Sequence, residues 1–310
     1  MSQTPLVSIA LCTYNGARFL REQLDSLVNQ DYSNLEIIVT DDCSSDQTRQ
    51  ILEEYAERFS FIKLYLNTEN LGYVKNFEKA IQLCSGDLIA LSDQDDIWSL
   101  DKISKMQEHI GDHLLSYHDS EFINERGESM NKKLSDVVNM YAGNDFKPFL
   151  LFNSVSGHAC LFKKELIQGG CLPFPKAVFH DRWLAFAATN LGSIGYLNLP
   201  LVKYRQHENS DTNILKLDRK KVEAAVGTDH NIKKTIAEIT ALLEFKALKN
   251  PEFMTRFLKL YQNRLNYRIC LSLVILMYSN FNSLFYISRK STSSKINFVF
   301  KHLWGKKKGE

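Results

Sequence analysis

The residues best suited to chemistry in this chain are carboxylates bunched where apolar runs stop. In Ser92-Asp93-Gln94-Asp95-Asp96-Ile97-Trp98, three acids fall within four positions, directly after the run Leu88-Ile89-Ala90-Leu91. Like charges held so close cost stability unless a cation or solvent compensates. Hard oxygen donors at such a place suit Mg²⁺ or Mn²⁺, which take one or two carboxylates together with substrate phosphate oxygens. A metal there would neutralise a departing diphosphate. The plain alternative is a solvated acidic loop; the strand pattern before the acids and the Ile-Trp after them weigh against it. Asp41-Asp42 closes a second apolar run, where a carboxylate can accept a base N–H or a ribose hydroxyl, or cap the following helix. Asp181 opens the helical pattern His180-Asp181-Arg182-Trp183, a place the helix N-terminus favours for a carboxylate. It can serve as a general base or simply as a cap. Tyr204-Arg205-Gln206-His207 ends a strand pattern, with Arg205 and His207 on one side, able to meet phosphate or metal.

The elements that must position these groups alternate. Apolar β-formers at 6–12 run into the turn Thr13-Tyr14-Asn15-Gly16. Phe19, Leu20, Leu24, Leu27 and Val28 then recur at helical spacing. A strand at 35–40, a helix through TRQILEEYAERF capped by Ser45 or Asp46, a strand at 61–66, a helix through VKNFEKAIQLC and the strand DLIALSD follow. This β-α-β-α-β-α-β order predicts a mostly parallel α/β sheet. Ligands of such sheets bind beyond the carboxyl ends of the strands, so TYNG, TDDCSSD and SDQDD should converge on one edge. No Gly-x-Gly-x-x-Gly follows the first strand, and no phosphate-binding P-loop occurs. Further on, the pattern predicts a helix after Asp101, a strand near 114–123, a turn at Gly127 and a strand at 158–163. A helix from His180 stops at Gly192, and a strand is broken at Pro200. Beyond Asn213 the pattern is helical.

With 44% hydrophobic residues, the 310-residue chain can bury a large core. Its six cysteines are scattered without C-x-x-C spacing, which suggests neither a zinc site nor a disulfide framework and fits a reducing cytosol. The start MSQTPLVSIA does not read as a secretory signal. The net charge of +2 conceals an asymmetry: residues 251–310 carry 11 Lys/Arg against Glu252 and Glu310, and the remainder is net acidic. A basic end of this kind suits a polyanionic surface. No charge falls between Arg268 and Arg289, a stretch that reads as a core helix or an interfacial segment rather than a span.

Taken together, VSIALCTYNGARFLREQLDSLVNQ, LEIIVTDDCSSDQT, NLGYVKNFEKAI, GDLIALSDQDDIW, HDRW and YRQH resemble family 2 glycosyltransferases of the GT-A, nucleotide-diphospho-sugar transferase, fold. SDQDDIW is most similar to rhamnosyltransferase-type members that build bacterial surface polysaccharides. The resemblance covers roughly residues 5–210. It implies a catalytic domain over 1–214 and a basic helical extension over 215–310. By resemblance, Thr13, Tyr14, Asn15 and Asp42 would hold the nucleotide base and ribose, and Asp93 and Asp95 would form the D-x-D pair. Asp95 and His207 would contact Mg²⁺ or Mn²⁺ and the diphosphate, and Asp181 would be the acceptor-activating base. The donor would be dTDP- or UDP-linked, the acceptor a saccharide or lipid-linked hydroxyl, and the reaction inverting. Where many members have Arg-Asn after N-x-G this chain has Lys75-Asn76, and His180 replaces the usual Glu before Asp181. A cytoplasmic enzyme peripheral on the inner face of the plasma membrane is implied, docked in part by Lys306, Lys307 and Lys308. Nucleic acid is not an expected partner, because the basic end lacks a recognisable binding module. Two other classes remain: a nucleotidyltransferase, which would normally show a glycine-rich basic first loop absent from CTYNGARF, and a non-catalytic nucleotide-binding protein.

Overall fold

The computed structural model describes residues 4–207 and 229–305. The chain alternates as expected through β1 (Val7–Thr13), α1 (Ala17–Val28), β2 (Leu35–Asp41), α2 (Thr48–Arg58), β3 (Ile62–Leu66), α3 (Tyr73–Leu83) and β4 (Leu88–Ser92). Every residue of β1 is buried, the mark of a strand covered on both faces. Its alternate residues serve two layers. Val7, Ile9 and Leu11 pack with Leu20, Leu24 and Leu27 of α1, while Ala10 and Cys12 pack with Phe77 and Ile81 of α3. The short β5 (Ile97–Trp98), α4 (Lys102–Ile110), β6 (Leu115–Ile123) and β7 (Ser129–Lys133) follow, the last two joined by a turn at Gly127, whose φ is 80°. Then come β8 (Cys160–Lys163), a short helix α5 (Lys164–Leu166), α6 (His180–Leu191) and β9 (Ile194–Arg205).

The strands form one sheet in the order β3-β2-β1-β4-β8-β6-β9-β5, with β7 beside β6. It is parallel from β3 to β4; β8 then runs antiparallel to both β4 and β6, and β6 and β9 are parallel again. The sequence pattern broke the last strand at Pro200, but β9 runs through it. The ladder to β6 instead skips residues: His118 faces Leu197, Asp119 faces Pro200 and Ser120 faces Val202. These bulges take up the missing proline donor without ending the strand.

Five α-helices complete the described chain: α7 (Asp229–Leu243), α8 (Pro251–Gln262), α9 (Leu271–Ser279), α10 (Phe281–Leu284) and α11 (Thr292–Lys301). Asn250 caps α8 by accepting the Phe253 N–H. These helices share a core with the sheet: Ile239, Met254, Phe257, Met277 and Phe285 belong to the same buried cluster as Tyr117, Phe162 and Phe186. The charge-free stretch after Arg268 is divided between α9 and α10 and is not one continuous helix. Among the described residues no helix is long and apolar enough to cross a membrane.

Candidate active site

The loops leaving β1, β2 and β4 meet at the carboxyl edge of the sheet. Thr13 and Asp41 are register partners, and Thr13 Oγ1 donates to Asp41 Oδ2 at 2.9 Å. Asn15 then turns into the left-handed region, with φ of 48°. That turn aims its N–H at Ser44 Oγ (2.8 Å) and its Oδ1 at the Ser45 N–H (2.9 Å), while the Gly16 N–H reaches Thr48 Oγ1 (2.8 Å). Gln94 clamps the third loop to the first: its Oε1 accepts the Tyr14 N–H at 2.8 Å and its Nε2 donates to the Tyr14 carbonyl at 3.0 Å. A Cβ at Gly16 would lie 2.1 Å from Gln94 Oε1, so only glycine permits this approach. The Tyr14 side chain stays exposed at this edge. Asp42 is buried and already engaged: it accepts from Asn67 Nδ2 and from the Leu71 and Gly72 N–H groups, each at 2.8 Å. It thereby fixes the loop of residues 67–72 beside the same edge.

The acidic loop meets two imidazoles. Asp95 Oδ2 lies 2.7 Å from His207 Nε2, bringing together two residues that are 112 apart in sequence. On the inner side, Asp96 Oδ2 and Asp93 Oδ2 lie 3.6 and 3.9 Å from His158 Nδ1. Burial, then the charges of Asp95 and Asp93, push the Asp96 carboxyl well above the usual range. Its Oδ2 is buried and accepts no hydrogen bond among the described residues. Burial, then the charge of Lys102, lowers His158 to about 3, so it is neutral, held by Ser120 Oγ at Nε2 (2.9 Å) and packed on Tyr204. One ligand atom each from Asp93, Asp96 and His158 fall within 4.8 Å of one another. Crowded carboxylate oxygens with an orphaned acceptor and the neutral imidazole of His158 fit a divalent cation. Arg205 does not take the phosphate-facing position its strand alternation suggested. It is buried, with its Nε on the Asp95 carbonyl (2.8 Å), its Nη2 on Glu22 (2.5 Å) and its N–H on Asp96 Oδ1 (3.0 Å). It shapes the acidic loop from behind.

A cavity of about 980 Å³ opens from Asp93 and reaches Asp181. Asp181, at the first turn of α6, accepts the Arg182 N–H at Oδ1 (2.5 Å), and burial pushes its carboxyl up to about 6 against that bond. Its neighbours fix the turn. The His180 ring stacks on Phe77 at 4.4 Å, and Trp183 Nε1 donates to the Cys171 carbonyl at 2.7 Å. Arg182 donates to the carbonyls of Phe149 (2.8 Å) and Leu150 (2.6 Å) and pairs with Glu238 of α7 at 2.9 Å. The far wall is Ile287, Arg289, Lys290 and Ser291, pinned by the Asn139 N–H to the Ile287 carbonyl (2.8 Å) and by a bridge between Val138 and Ser288.

The structure thus brings the three loops to one edge, sets Asp95 against His207 and puts Asp181 on the cavity that Asp93 also lines. Sequence reasoning did not single out His158, which no motif marks, the approach of Asp96 to it, or the wall formed by residues 287–291. Gln94 could have been suspected only from its position between two acids.

The Glycosyl transferase family 2 model matches residues 8–170. An uncharacterised glycosyltransferase of Haemophilus influenzae is 30% identical over 226 residues, covering 69% of each chain. The dTDP-rhamnosyl transferase RfbG of Shigella flexneri is 31% identical over 219 residues, covering 64% of this chain and 72% of its own. Among solved structures, the mannosyltransferase PcManGT of Pyrobaculum calidifontis, in complex with GDP-Man and Mn2+, superposes with a TM-score of 0.54 at 17% identity, covering 97% of this chain and 86% of its own. The likeness is one of fold, with the α/β sheet and C-terminal helices of GT-A glycosyltransferases.

Proposed function

The chain belongs to glycosyl transferase family 2, and we propose that it moves a sugar from a nucleoside-diphosphate donor to an acceptor hydroxyl with inversion at the anomeric carbon. The observation that carries this reading is that Asp181, with its carboxyl near 6, lines the same cavity as Asp93. A base tuned close to working pH can take a proton without being protonated itself. Asp181 Oδ would remove the acceptor hydroxyl proton as that oxygen attacks the anomeric carbon, on the face opposite the departing diphosphate. Thr13, Tyr14, Asn15 and Asp42 border the nucleoside, and Asp93, Asp95 and His207 the diphosphate. Asp95 and His207 would hold Mg²⁺ or Mn²⁺, which when bound neutralises charge on the leaving group. Asp93, Asp96 and His158, whose ligand atoms already lie within 4.8 Å of one another, would offer that cation a second set of donors on the inner side of the loop. Since the chain forms no covalent bond to the sugar in this reading, positioning supplies much of the barrier reduction.

The finer identity leans on likeness to the rhamnosyl transferase and on the SDQDDIW motif: a dTDP- or UDP-linked donor, rhamnose among the sugars that fit, and a surface-polysaccharide or lipid-linked acceptor. Residues 215–310 would act with 1–214 as one unit around the cavity, since the far wall and the Glu238 anchor come from them. A lipid-linked acceptor and the basic final stretch together support peripheral contact with the inner face of the membrane. The experiment is nucleotide-sugar binding by Asp95→Asn with and without Mn²⁺. Metal-enhanced binding in the wild type that disappears in the variant is expected. Wild-type binding indifferent to EDTA would refute the metal assignment.

A further inference from the structure

The apolar stretch after Arg268 serves two surfaces at once. On α9, Leu273, Val274, Leu276 and Met277 are buried against the core, whereas Leu271, Ile275 and Tyr278 are 58%, 55% and 65% exposed. Positions 271, 275 and 278 recur at helical spacing, so they form one face directed away from the protein. Next to this helix, residues 268–270 are tied to 303–305. The Cys270 N–H donates to the Leu303 carbonyl at 2.8 Å, the Gly305 N–H to the Arg268 carbonyl at 3.2 Å, and Ile269 bridges Trp304 antiparallel. Facing residues of an antiparallel bridge project to the same side. Ile269 and Trp304 are 60% and 57% exposed, and Tyr267 is 59% exposed. A soluble surface rarely gathers this many large apolar side chains in one short region.

The surroundings identify the occupant. Between Glu252 and Glu310 the sequence contains no acidic residue, and Arg268, Lys301 and Lys306-Lys307-Lys308 border the apolar residues in sequence. Lys306, Lys307 and Lys308 lie outside the described residues; what they contribute is their charge and their place in the sequence directly after Gly305. A second copy of this chain would bring like charges together, which disfavours self-association. An anionic lipid surface answers the charge with its headgroups and the Leu, Ile, Trp and Tyr side chains with its acyl boundary. Tyr and Trp are the side chains that settle at that boundary, with an apolar ring and a polar edge.

We propose that Tyr267, Ile269, Leu271, Ile275, Tyr278 and Trp304 form an insertion face that seats the protein on an anionic bilayer. The inference rests on the peripheral contact proposed above and names the surface that makes it. The nine-residue α9 lies in the interface without spanning, because a span needs about 20 apolar residues. Contact by lysines alone would be purely electrostatic and fully reversed by salt; an inserted face keeps a salt-resistant part.

Trp304 reports on this directly. Trp98 and Trp183 are 2% and 4% exposed, so a change in the exposed tryptophan's emission belongs to residue 304. The full-length chain is mixed with vesicles of phosphatidylglycerol and phosphatidylcholine, or of phosphatidylcholine alone. On the anionic vesicles the emission should shift to the blue and be quenched by lipids brominated on the acyl chain, with no shift in Trp304→Phe. Leu271→Ser/Ile275→Ser/Tyr278→Ser, at exposed positions, should keep the wild-type melting temperature and bind the anionic vesicles about tenfold or more weakly. Binding that is equal in the triple variant and abolished by salt, with Trp304 emission unchanged, would overturn the insertion face and leave the membrane contact standing. No sedimentation with either vesicle would remove both. Emission shifted without lipid, as the chain dimerises on concentration, would assign the face to self-association and overturn the proposal.

Discussion

The carboxyl edge of β1, β2 and β4 and the cavity around Asp181 are built in different ways. At the edge, each loop is tied to the next by short polar contacts: Thr13 to Asp41, Asn15 to Ser44 and Ser45, Gln94 to Tyr14. The strands that deliver these loops are parallel neighbours, so the groups meet wherever the sheet forms. The cavity is assembled from distant parts. Asp181 is held by Arg182, which is anchored to Phe149, Leu150 and Glu238, and the opposite wall comes from residues 287–291. The edge therefore depends on the sheet, the cavity on the docking of residues 229–305. In the proposed reading the edge holds the nucleotide and can stay common to many enzymes, while the wall facing it changes with the acceptor.

Truncation should separate the two regions most severely. A chain ending at Leu265 loses Leu273, Met277, Phe285 and Ile287 from the shared core. It should melt far lower or aggregate, with the acceptor cavity lost first; a truncated protein with wild-type melting and turnover would show the two regions to be independent.

Asp181→Asn tests the cavity without disturbing the edge. Its kcat should fall about 10³-fold, as expected for a missing general base, with donor Kd unchanged. The pH dependence has a definite sign. The wild-type rate should drop about tenfold per pH unit below pH 6, as Asp181 takes up a proton, and the variant should lack this limb. Since burial raises this carboxyl in the fold, its ionisation costs stability as pH rises from the ordinary value near 3.9 through about 6. The variant, free of that charge, should melt no lower than the wild type at pH 8. A normal kcat would make Asp181 a cap only.

The smallest effect belongs to the edge. Gln94→Ala removes two hydrogen bonds at an exposed backbone, each worth about 1 kcal/mol, so donor KM should rise several-fold with kcat nearly kept. A large kcat loss would mean that Gln94 does more than clamp.

This contrast also explains what the sequence disclosed. The first four strands were legible because a buried parallel strand is an unbroken apolar run and its loop is a polar cluster. The convergence of TYNG, TDDCSSD and SDQDD then follows from topology. Asp181 and the pairing of Asp95 with His207 came from the family resemblance, since each alone also reads as a cap or a structural residue. His158 was illegible because its meaning lies in burial between Asp96, Ser120 and Tyr204, none of them near it in sequence. Arg205 was misread because alternation gives the side of a strand but not whether that side faces ligand or the back of a loop. Pro200 looked like a break, since nothing local announces the skipped register against β6. The charge-free stretch hid its division into a buried and an exposed face, which appears only once α9 has packed.

The central claim is glycosyl transfer from a nucleotide sugar, and the most direct measurement is ³¹P NMR of the purified chain with Mn²⁺ replaced by Mg²⁺ and a panel of dTDP-, UDP- and GDP-sugars, followed with and without a saccharide acceptor. One of these donors should yield free nucleoside diphosphate, faster with acceptor, not after EDTA, and not with Asp181→Asn. No diphosphate release from any donor, with pyrophosphate appearing instead from a nucleoside triphosphate and a sugar 1-phosphate, would contradict it.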